Sequence, residues 1–568
     1  MERIAHRVCP LCEACCGLEV GIADGKVTSI RGHVRDVLSR GFICPKGAAL
    51  RDLHEDPDRL RAPLVKRDGV HVEVTWDEAF AEIERRLPPI LEAHGRDAVA
   101  MSLGNPSAHR HGLLLYGARL ARTLGRNIYS ASTLDQMPKQ LACGLLFGHW
   151  LSVPVPDLER AQLLVVLGAN PVVSNGSMWT VPDFRGKAKA MQARGGRLVV
   201  IDPRRTETAE LADQHVFIRP GGDVFLLLGI VHVLFAEKLV RLGRLAPHVD
   251  GVELIERAVA DYSPEQVGPR CGIEPAVIVE LARALSTERA VLYGRIGTCT
   301  QEYGTLASWL VDVINVLTGN LDAPGGAMFP KAAAFAANTI GAPGKGKGIS
   351  IGRRKSRVSG APEVFGELPM TCLAEEIETP GEGQVRALIT IASNPALSAP
   401  NGPRIAAALE QLELMISVDI YLNETTRHAD VILPGLSALE EPHYDVAVPQ
   451  LSWRNTARYS PALLPPPPGA LAEWQILLRL VAITTGRGAS ADLRALDDEL
   501  ALADVTRVAG AQAEMLMKML GDRVGPERLL DLALRGGPYG DRFGFVPDGL
   551  TLARVAAAPE GIDLGPLE

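Results

Sequence analysis

The stretches LLVVLGANP, at residues 163–171, and RLVVIDPRR, at residues 197–205, decide the fold class of this chain. Each is a continuous apolar run that ends at a polar turn, as strands buried in a parallel sheet do. The same order returns later, with ALITIASNP at 387–395 and LMISVDIY at 414–421. Because helical segments separate these runs, the sequence predicts an α/β fold in which the unit occurs twice.

The turns that end these runs have the features of nucleotide sites. Gly168 is small enough for backbone amides to approach a phosphate. Asn170 and Asn394 precede a proline, which favours an extended backbone and leaves the side-chain amide free to bind a ligand or the turn itself. Asp202 and Asp419 end the following runs and can accept hydrogen bonds from a ribose or a guanine. The alternative is a plain strand-ending turn; two matching units favour two nucleotide-bearing cofactors, and the lack of GxGxxG disfavours NAD.

Cysteines near the N-terminus point to a redox centre. Cys9, Cys12 and Cys16 lie in CPLCEACCG, and Cys44 follows in GFICPKG. Three close ligands and one distant ligand suit a [4Fe–4S] cluster better than a zinc ribbon, which uses two CxxC pairs. Cys15 leaves the ligand set open, because Cys9, Cys12 and Cys15 match the local ferredoxin spacing equally well. A zinc site or a few buried thiols is the alternative.

The composition limits the classes of function. The chain has 568 residues, 47% hydrophobic and 22% charged, with a formal net charge of −8. The acidic balance argues against general nucleic-acid binding, which needs a basic face. No run reaches the roughly 18 apolar residues of a membrane span. The start of the sequence has neither an apolar signal core nor a twin-arginine pair, and the other cysteines are isolated, so a cytoplasmic location is expected.

The motifs in their order resemble a known family. Besides the cysteines they are GANP, IDPRRTETAELAD, IRPGGD, LTGNLDAPGG, ASNP and ETTRHADVILPGLSALEE. Together they resemble the molybdopterin oxidoreductases of the dimethyl-sulfoxide-reductase superfamily, in the branch with formate dehydrogenases and assimilatory nitrate reductases. The resemblance implies a multidomain fold with two Rossmann-like α/β domains and a small N-terminal iron–sulfur domain. The expected domains are 1–58, joined in space by roughly 437–568; 59–130 with 345–436; and 131–344.

The resemblance also implies cofactors and the residues that bind them. The family carries two molybdopterin guanine dinucleotides around one molybdenum or tungsten, with a [4Fe–4S] cluster nearby. It selects Cys16 over Cys15, so the expected cluster ligands are Cys9, Cys12, Cys16 and Cys44. Lys46 matches a lysine between cluster and pterin, on the electron path. The expected dinucleotide contacts are Gly168, Asn170, Asp202 and Asp223 for the first cofactor, and Asn394 and Asp419 for the second.

The expected metal ligand is Asp135. In formate dehydrogenase relatives a cysteine or selenocysteine lies twelve positions before an FG pair, and counting back from Phe147-Gly148 reaches Asp135. Aspartate is a metal ligand in the respiratory nitrate reductase branch, and a hard oxygen donor suits molybdenum. The alternative is that Asp135 is a helix N-cap or turn residue and does not bind the metal. Gln136 follows where formate dehydrogenases carry a histidine, and glutamine is no general base, which puts formate oxidation in doubt.

The resemblance implies an oxidoreductase subunit that passes electrons between a small substrate at the metal and the cluster, and then to a partner protein. A catalytically silent electron-relay or structural subunit is the alternative, and a non-redox hydratase is a third hypothesis. Family members usually continue into a further dinucleotide-binding domain that this chain lacks. We therefore expect truncation, an incomplete cofactor site, or a separate chain that supplies the domain.

Overall fold

A small antiparallel sheet opens the chain in the computed structural model, which describes residues 3–337 and 348–568. Its strands are Arg3–Val8, Gly17–Ala23 and Lys26–Gly32, followed by the short helices Pro45–Ala48 and Leu50–Glu55. One face of this sheet is apolar and packs against Leu439, Leu463 and Leu464 from late in the chain. The N-terminal sheet is therefore anchored on the later segment.

A seven-stranded sheet takes its strands from two separate stretches of the chain. Five strands run parallel, and an antiparallel hairpin adds two at one edge. In spatial order they are Val70–Glu73, Leu64–Arg67, Val431–Ile432, Leu414–Val418, Ala387–Ile391, Val99–Leu103 and Ile128–Ser130. One face packs on the helices Trp76–His94, His111–Ala121, Glu473–Thr484 and Leu493–Ala509, and the other on Leu373–Glu378 and Gly402–Leu409.

A four-stranded parallel sheet lies in the middle of the chain. Its order is Gln214–Val216, Arg197–Ile201, Leu163–Leu167 and Ala290–Gly294. Helices cover both faces, as the continuous apolar strands require: Asp223–Ala236, Pro264–Cys271, Pro275–Leu285 and Gly304–Leu317 on one side, and Phe184–Ala193 on the other.

Shorter elements complete the chain. Further helices are Met137–Phe147 and the shorter Pro106–His109, Ser132–Asp135, Pro171–Ser174, Glu207–Leu211, Val252–Ala258 and Pro395–Ser398. Three two-stranded pairs join Val155–Pro156 to Ala327–Met328, Ile351–Lys355 to Pro362–Val364, and Asn455–Ala457 to Ile562–Gly565. The last helices are Ala513–Met519, Gly525–Gly536 and Leu552–Ala556.

The α/β prediction is confirmed, with two sheets that each carry one copy of the repeated unit. The proposed domain boundaries stay a prediction, and the boundary between residues 344 and 345 lies outside the described residues. Within the described part of the chain, no helix combines the length and the apolar character needed to cross a membrane.

Candidate cofactor site

The cysteine loop, residues 9–16, is closed by a hydrogen bond of its own backbone. The amide of Cys9 donates to the carbonyl of Cys16 over 2.8 Å and closes the loop. Backbone amides point at the sulfurs: Leu11 at Cys9, Ala14 at Cys12, and Lys46 and Gly47 at Cys44. A Cβ on Gly47 would lie 3.7 Å from the sulfur of Cys9, so the two loops meet closely. Amide donors to the sulfurs suit an iron–sulfur cluster, because such hydrogen bonds stabilise the negative charge on its ligands and tune its potential.

Cys15 points away from these sulfurs. Its thiol lies beside the carboxylate of Asp445 and 3.7 Å from the main-chain carbonyl of Cys12, and its own carbonyl accepts from Arg458 over 2.6 Å. It packs in a different hydrophobic cluster from Cys9 and Cys16. Cys15 is thus engaged in a buried polar contact, and the geometry supports a ligand set with Cys16.

The first nucleotide-type turn is tied to the next turn of its sheet. Asn170 donates from its side-chain amide to Glu207 over 2.7 Å. Its amide oxygen accepts from the hydroxyl of Thr208 over 2.7 Å, and this hydroxyl in turn accepts from the backbone amide of Val172. The asparagine side chain therefore binds the turn itself, at both its donor and its acceptor end.

The second turn repeats this arrangement on the other sheet. Asn394 donates to Glu424 over 2.8 Å and accepts from Thr425 over 2.7 Å. The hydroxyl of Thr425 accepts from the amide of Ala396. The two sheets thus carry the same set of hydrogen bonds among an asparagine, a glutamate and a threonine. We call each set a lock.

The sequence reasoning missed the glutamate and threonine of each lock. A signal was present, because Glu207 and Thr208 follow Asp202 by five and six positions, and Glu424 and Thr425 follow Asp419 by the same spacing.

Two carboxylates of the first unit lie near each other. Asp202 accepts from the amide of Arg204 over 2.8 Å. Asp223 begins the helix Asp223–Ala236, and burial raises its pKa, with a further rise from Asp202. Gly168 has φ +61°, and a Cβ there would lie 3.0 Å from the backbone of Gly297. The structure thus brings Gly168, Asp202 and Asp223 to the carboxyl edge of the four-stranded sheet, where phosphate- and nucleotide-binding turns lie.

A cavity of about 290 Å³ lies between the second repeated unit and the cysteine loop. Asp419 lines it together with Pro10 and Leu11 of the cysteine loop. Burial raises the pKa of Asp419 to about 6. The cavity has apolar walls and a few polar groups, among them Arg59 and Arg110, which is the usual character of a cofactor site.

Asp135 contacts a buried arginine. Arg295, only 2% exposed, donates to the main-chain carbonyl of Asp135 over 2.9 Å, and its Nη2 lies 3.9 Å from the carboxylate. Burial raises the pKa of Asp135, and Arg295 opposes this rise. Glu13 of the cysteine loop is a neighbour: it accepts from the amide of Met178 over 2.6 Å, and the charge of Asp135 raises its pKa further beyond the effect of burial. Sequence reasoning missed Arg295 and Glu13.

Lys46 lies beside the cysteine loop, and its ammonium group donates to the sulfur of Cys12. Other cations and imidazoles near the site have structural partners. Lys139 is buried and contacts both carboxylate oxygens of Asp312 at 2.7 Å. His443 contacts Asp445 at 3.2 Å.

These features define the class of protein. The profile of the molybdopterin oxidoreductase family matches residues 59–482, and that of the molybdopterin oxidoreductase Fe4S4 domain matches residues 2–55. The chain belongs to the molybdopterin oxidoreductases, and it is a molybdopterin-dependent enzyme with an iron–sulfur domain. The cysteine loops fit an iron–sulfur cluster, and the paired turns and the cavity fit a molybdopterin cofactor.

Named relatives agree with this class. The chain is 26% identical over 499 residues to "F420-dependent formate dehydrogenase 1 subunit alpha" of Methanococcus maripaludis, covering 85% of this chain and 70% of the relative. It is 26% identical over 517 residues to the assimilatory nitrate reductase catalytic subunit of Bacillus subtilis, covering 86% and 69%. The acetylene hydratase structure from Pelobacter acetylenicus shares the fold, with a TM-score of 0.71 and 22% identity over 85% of this chain and 69% of that one. The hypothesis of a separate C-terminal chain gains no support from these comparisons.

Proposed function

We propose that this chain holds two molybdopterin guanine dinucleotides around one molybdenum or tungsten, and passes electrons between a small substrate and a [4Fe–4S] cluster. The observation that carries this proposal is the pair of matching locks, Asn170–Glu207–Thr208 and Asn394–Glu424–Thr425, one on each sheet. Two locked turns at two sheet edges suit two copies of one nucleotide-bearing group. When bound, the metal would supply the oxidation or reduction of the substrate.

Residues of the first unit would bind one dinucleotide. Gly168 would admit a phosphate close to the backbone, and Asp202 and Asp223 would accept hydrogen bonds from guanosine. Asn170 would act by holding the turn in shape, since both ends of its side chain are already bonded within the chain.

Residues of the second unit would bind the other dinucleotide. Asp419 would contact it in the cavity that reaches the cysteine loop, while Asn394 would hold the turn. A cofactor in this cavity would lie between the strand end and the loop that holds the cluster.

At the centre, Asp135 would offer a carboxylate oxygen to the metal. Arg295 would keep it in place through the main-chain carbonyl. Cys9, Cys12, Cys16 and Cys44 would bind the cluster, and Lys46 would place a positive charge beside it. A partner electron-transfer protein would exchange electrons with the cluster, and the reducing cytoplasm stays the expected compartment.

Analysis of protein purified without air tests this proposal. We expect one molybdenum or tungsten, about four irons and two guanine nucleotides per chain after acid hydrolysis. Thr208→Val and Thr425→Val should each lower the guanine content, because each removes the hydroxyl contacts of one lock. Thr379→Val, in the loop after the helix Leu373–Glu378, is a matched control. Iron without molybdenum, tungsten or guanine would refute the proposal and leave the silent electron-relay subunit.

A further inference from the structure

Three side chains on the small N-terminal sheet face one another and play no part in the cofactor site. His6 pairs directly with Glu19 across the antiparallel strands Arg3–Val8 and Gly17–Ala23. His33 follows the third strand, and its amide donates to the carbonyl of Gly17 over 2.9 Å. Since residues two apart on a strand share a face, His33 lies on the same face as Glu19 and His6. The opposite face carries the apolar contacts of Ala5 and Leu18.

The three side chains converge. One ligand atom from each of His6, Glu19 and His33 lies within 4.8 Å of the other two. His33 is 1% exposed, and its Nε2 has no hydrogen-bond partner among residues 3–337 and 348–568. A buried polar atom without a hydrogen-bond partner lowers the stability of the fold. This imidazole therefore has binding capacity that the described part of the chain does not use.

The two imidazole rings are neighbours, and the surroundings of His33 favour its neutral form. The rings of His6 and His33 stack with centroids 4.0 Å apart and planes 16° from parallel. Burial, and next the neighbouring His6, lower the pKa of His33, because two adjacent imidazolium ions would repel each other. Neutral imidazole is the form that binds metal ions. Glu19 adds an anionic oxygen, so the group offers two nitrogens and one carboxylate.

We propose that His6, Glu19 and His33 form a binding site for a divalent transition-metal ion, with zinc as the ion that tests it. Two histidines and one glutamate are a known zinc ligand set, with water in the fourth position. Tetrahedral zinc holds its ligand atoms about 3.3 Å apart, so the group must contract and turn its rings out of the stack. His6 and Glu19 are only partly buried and can rotate.

A metal ion here would tie the first two strands to the segment after the third. The first strand leads directly to Cys9, so the ion would brace the sheet that carries the cysteine loop. This site is independent of the proposed function, because its side chains lie on the face opposite the apolar contacts of the cysteine loop.

Zinc binding to the intact, cluster-loaded protein tests the site. The protein is treated with a chelator under conditions that keep its iron, then titrated with zinc, and bound zinc is counted by mass spectrometry. We expect one zinc per chain. X-ray absorption spectroscopy of the bound zinc should show nitrogen and oxygen ligands and no sulfur ligand. His6→Ala and Glu19→Gln should each weaken zinc binding at least tenfold. These variants change partly exposed residues and are expected to fold.

Arg31→Ala is the matched control, because Arg31 pairs with Glu19 on the same face and offers no metal ligand. It should bind zinc like the parent. The iron content of every sample shows that the cysteines stay occupied. The inference is overturned if the parent with full iron binds no zinc, if zinc binding survives in the double variant of His6 and Glu19, or if the zinc edge shows sulfur ligands.

Discussion

Arg295 donates to the main-chain carbonyl of Asp135 over 2.9 Å while its Nη2 stays 3.9 Å from the carboxylate of the same residue. The guanidinium is 2% exposed and the Asp135 side chain is 44% exposed. The arginine thus holds the backbone firmly and leaves the carboxylate free on its open side. A carboxylate that ligates a metal needs a fixed backbone and an accessible oxygen, and Asp135 has both.

The role of Asp135 can be tested at the metal. Asp135→Ala should remove one oxygen ligand from the molybdenum or tungsten absorption spectrum, and it should abolish turnover of any substrate that the parent accepts. Arg295→Lys should lower activity about 10- to 100-fold with the metal retained, because the support of a ligand is changed while the ligand stays. Gln136→Ala is the neighbouring control and should keep the oxygen ligand. An unchanged metal spectrum in Asp135→Ala would show that this residue is only a turn residue.

The choice between the adjacent cysteines can be tested by iron content. Cys16→Ser should lose most of its iron and the absorption of the cluster. Cys15→Ser should keep both, because the new hydroxyl can donate to Asp445. Iron loss in Cys15→Ser and its retention in Cys16→Ser would reverse the ligand assignment.

Lys46 should influence the cluster through its charge. A cation beside the cluster stabilises the reduced, more negative form, so Lys46→Met should lower the reduction potential. We expect a shift on the order of tens of millivolts, where about 59 mV is a tenfold change for one electron. A redox titration followed by electron paramagnetic resonance measures it. Lys66→Met, on the strand Leu64–Arg67, should leave the potential unchanged; equal potentials in parent and Lys46→Met would contradict the role.

The buried pair of Lys139 and Asp312 should be needed for stability. Lys139→Met leaves the Asp312 carboxylate buried without its cation, and this should cost about 3–5 kcal/mol of unfolding free energy. The double variant with Asp312→Leu should recover much of the loss, because neither charge remains. Urea denaturation midpoints measure both effects. A double variant as unstable as Lys139→Met alone would show that packing, and not charge, dominates.

Glu473 should make stability depend on pH. Burial raises its pKa to about 8. Arg110, which forms an ion pair with it over 2.9 Å, opposes the rise, and the neighbouring charges of Glu441 and Asp419 add to it. The unfolded pKa is about 4.3, so between these values the folded state binds one more proton. Its contribution to stability is present below the unfolded pKa and is lost as the pH rises through about 8, by up to about 1.4 kcal/mol per pH unit.

Glu473→Gln should remove this loss, so its denaturation midpoint should fall less between pH 6 and pH 8 than that of the parent. Glu441→Gln is the comparison, because it leaves Arg110 to Glu473 alone and should lower the pKa of Glu473. Parallel pH profiles for the parent and Glu473→Gln would contradict the raised pKa.

The local pattern of the chain was enough for the fold class and for the family. Apolar runs that end at Asn170 and Asn394 predicted buried parallel strands, because strands covered on both faces must be apolar throughout. The antiparallel hairpin Leu64–Arg67 and Val70–Glu73 was not predicted as part of the large sheet. Its partner strand lies more than 360 residues away, and no local signal encodes such pairing.

The sequence by itself determined the α/β class, the family and the residue types of the candidate site, because these depend on periodicity, spacing and motif order. Only the tertiary structure decided which way each side chain points. It placed Cys15 beside Asp445, bonded Asn170 and Asn394 within their own turns, and placed Arg295 against the main-chain carbonyl of Asp135. These contacts join residues 30 to 430 positions apart, and only packing of the whole chain brings such residues together.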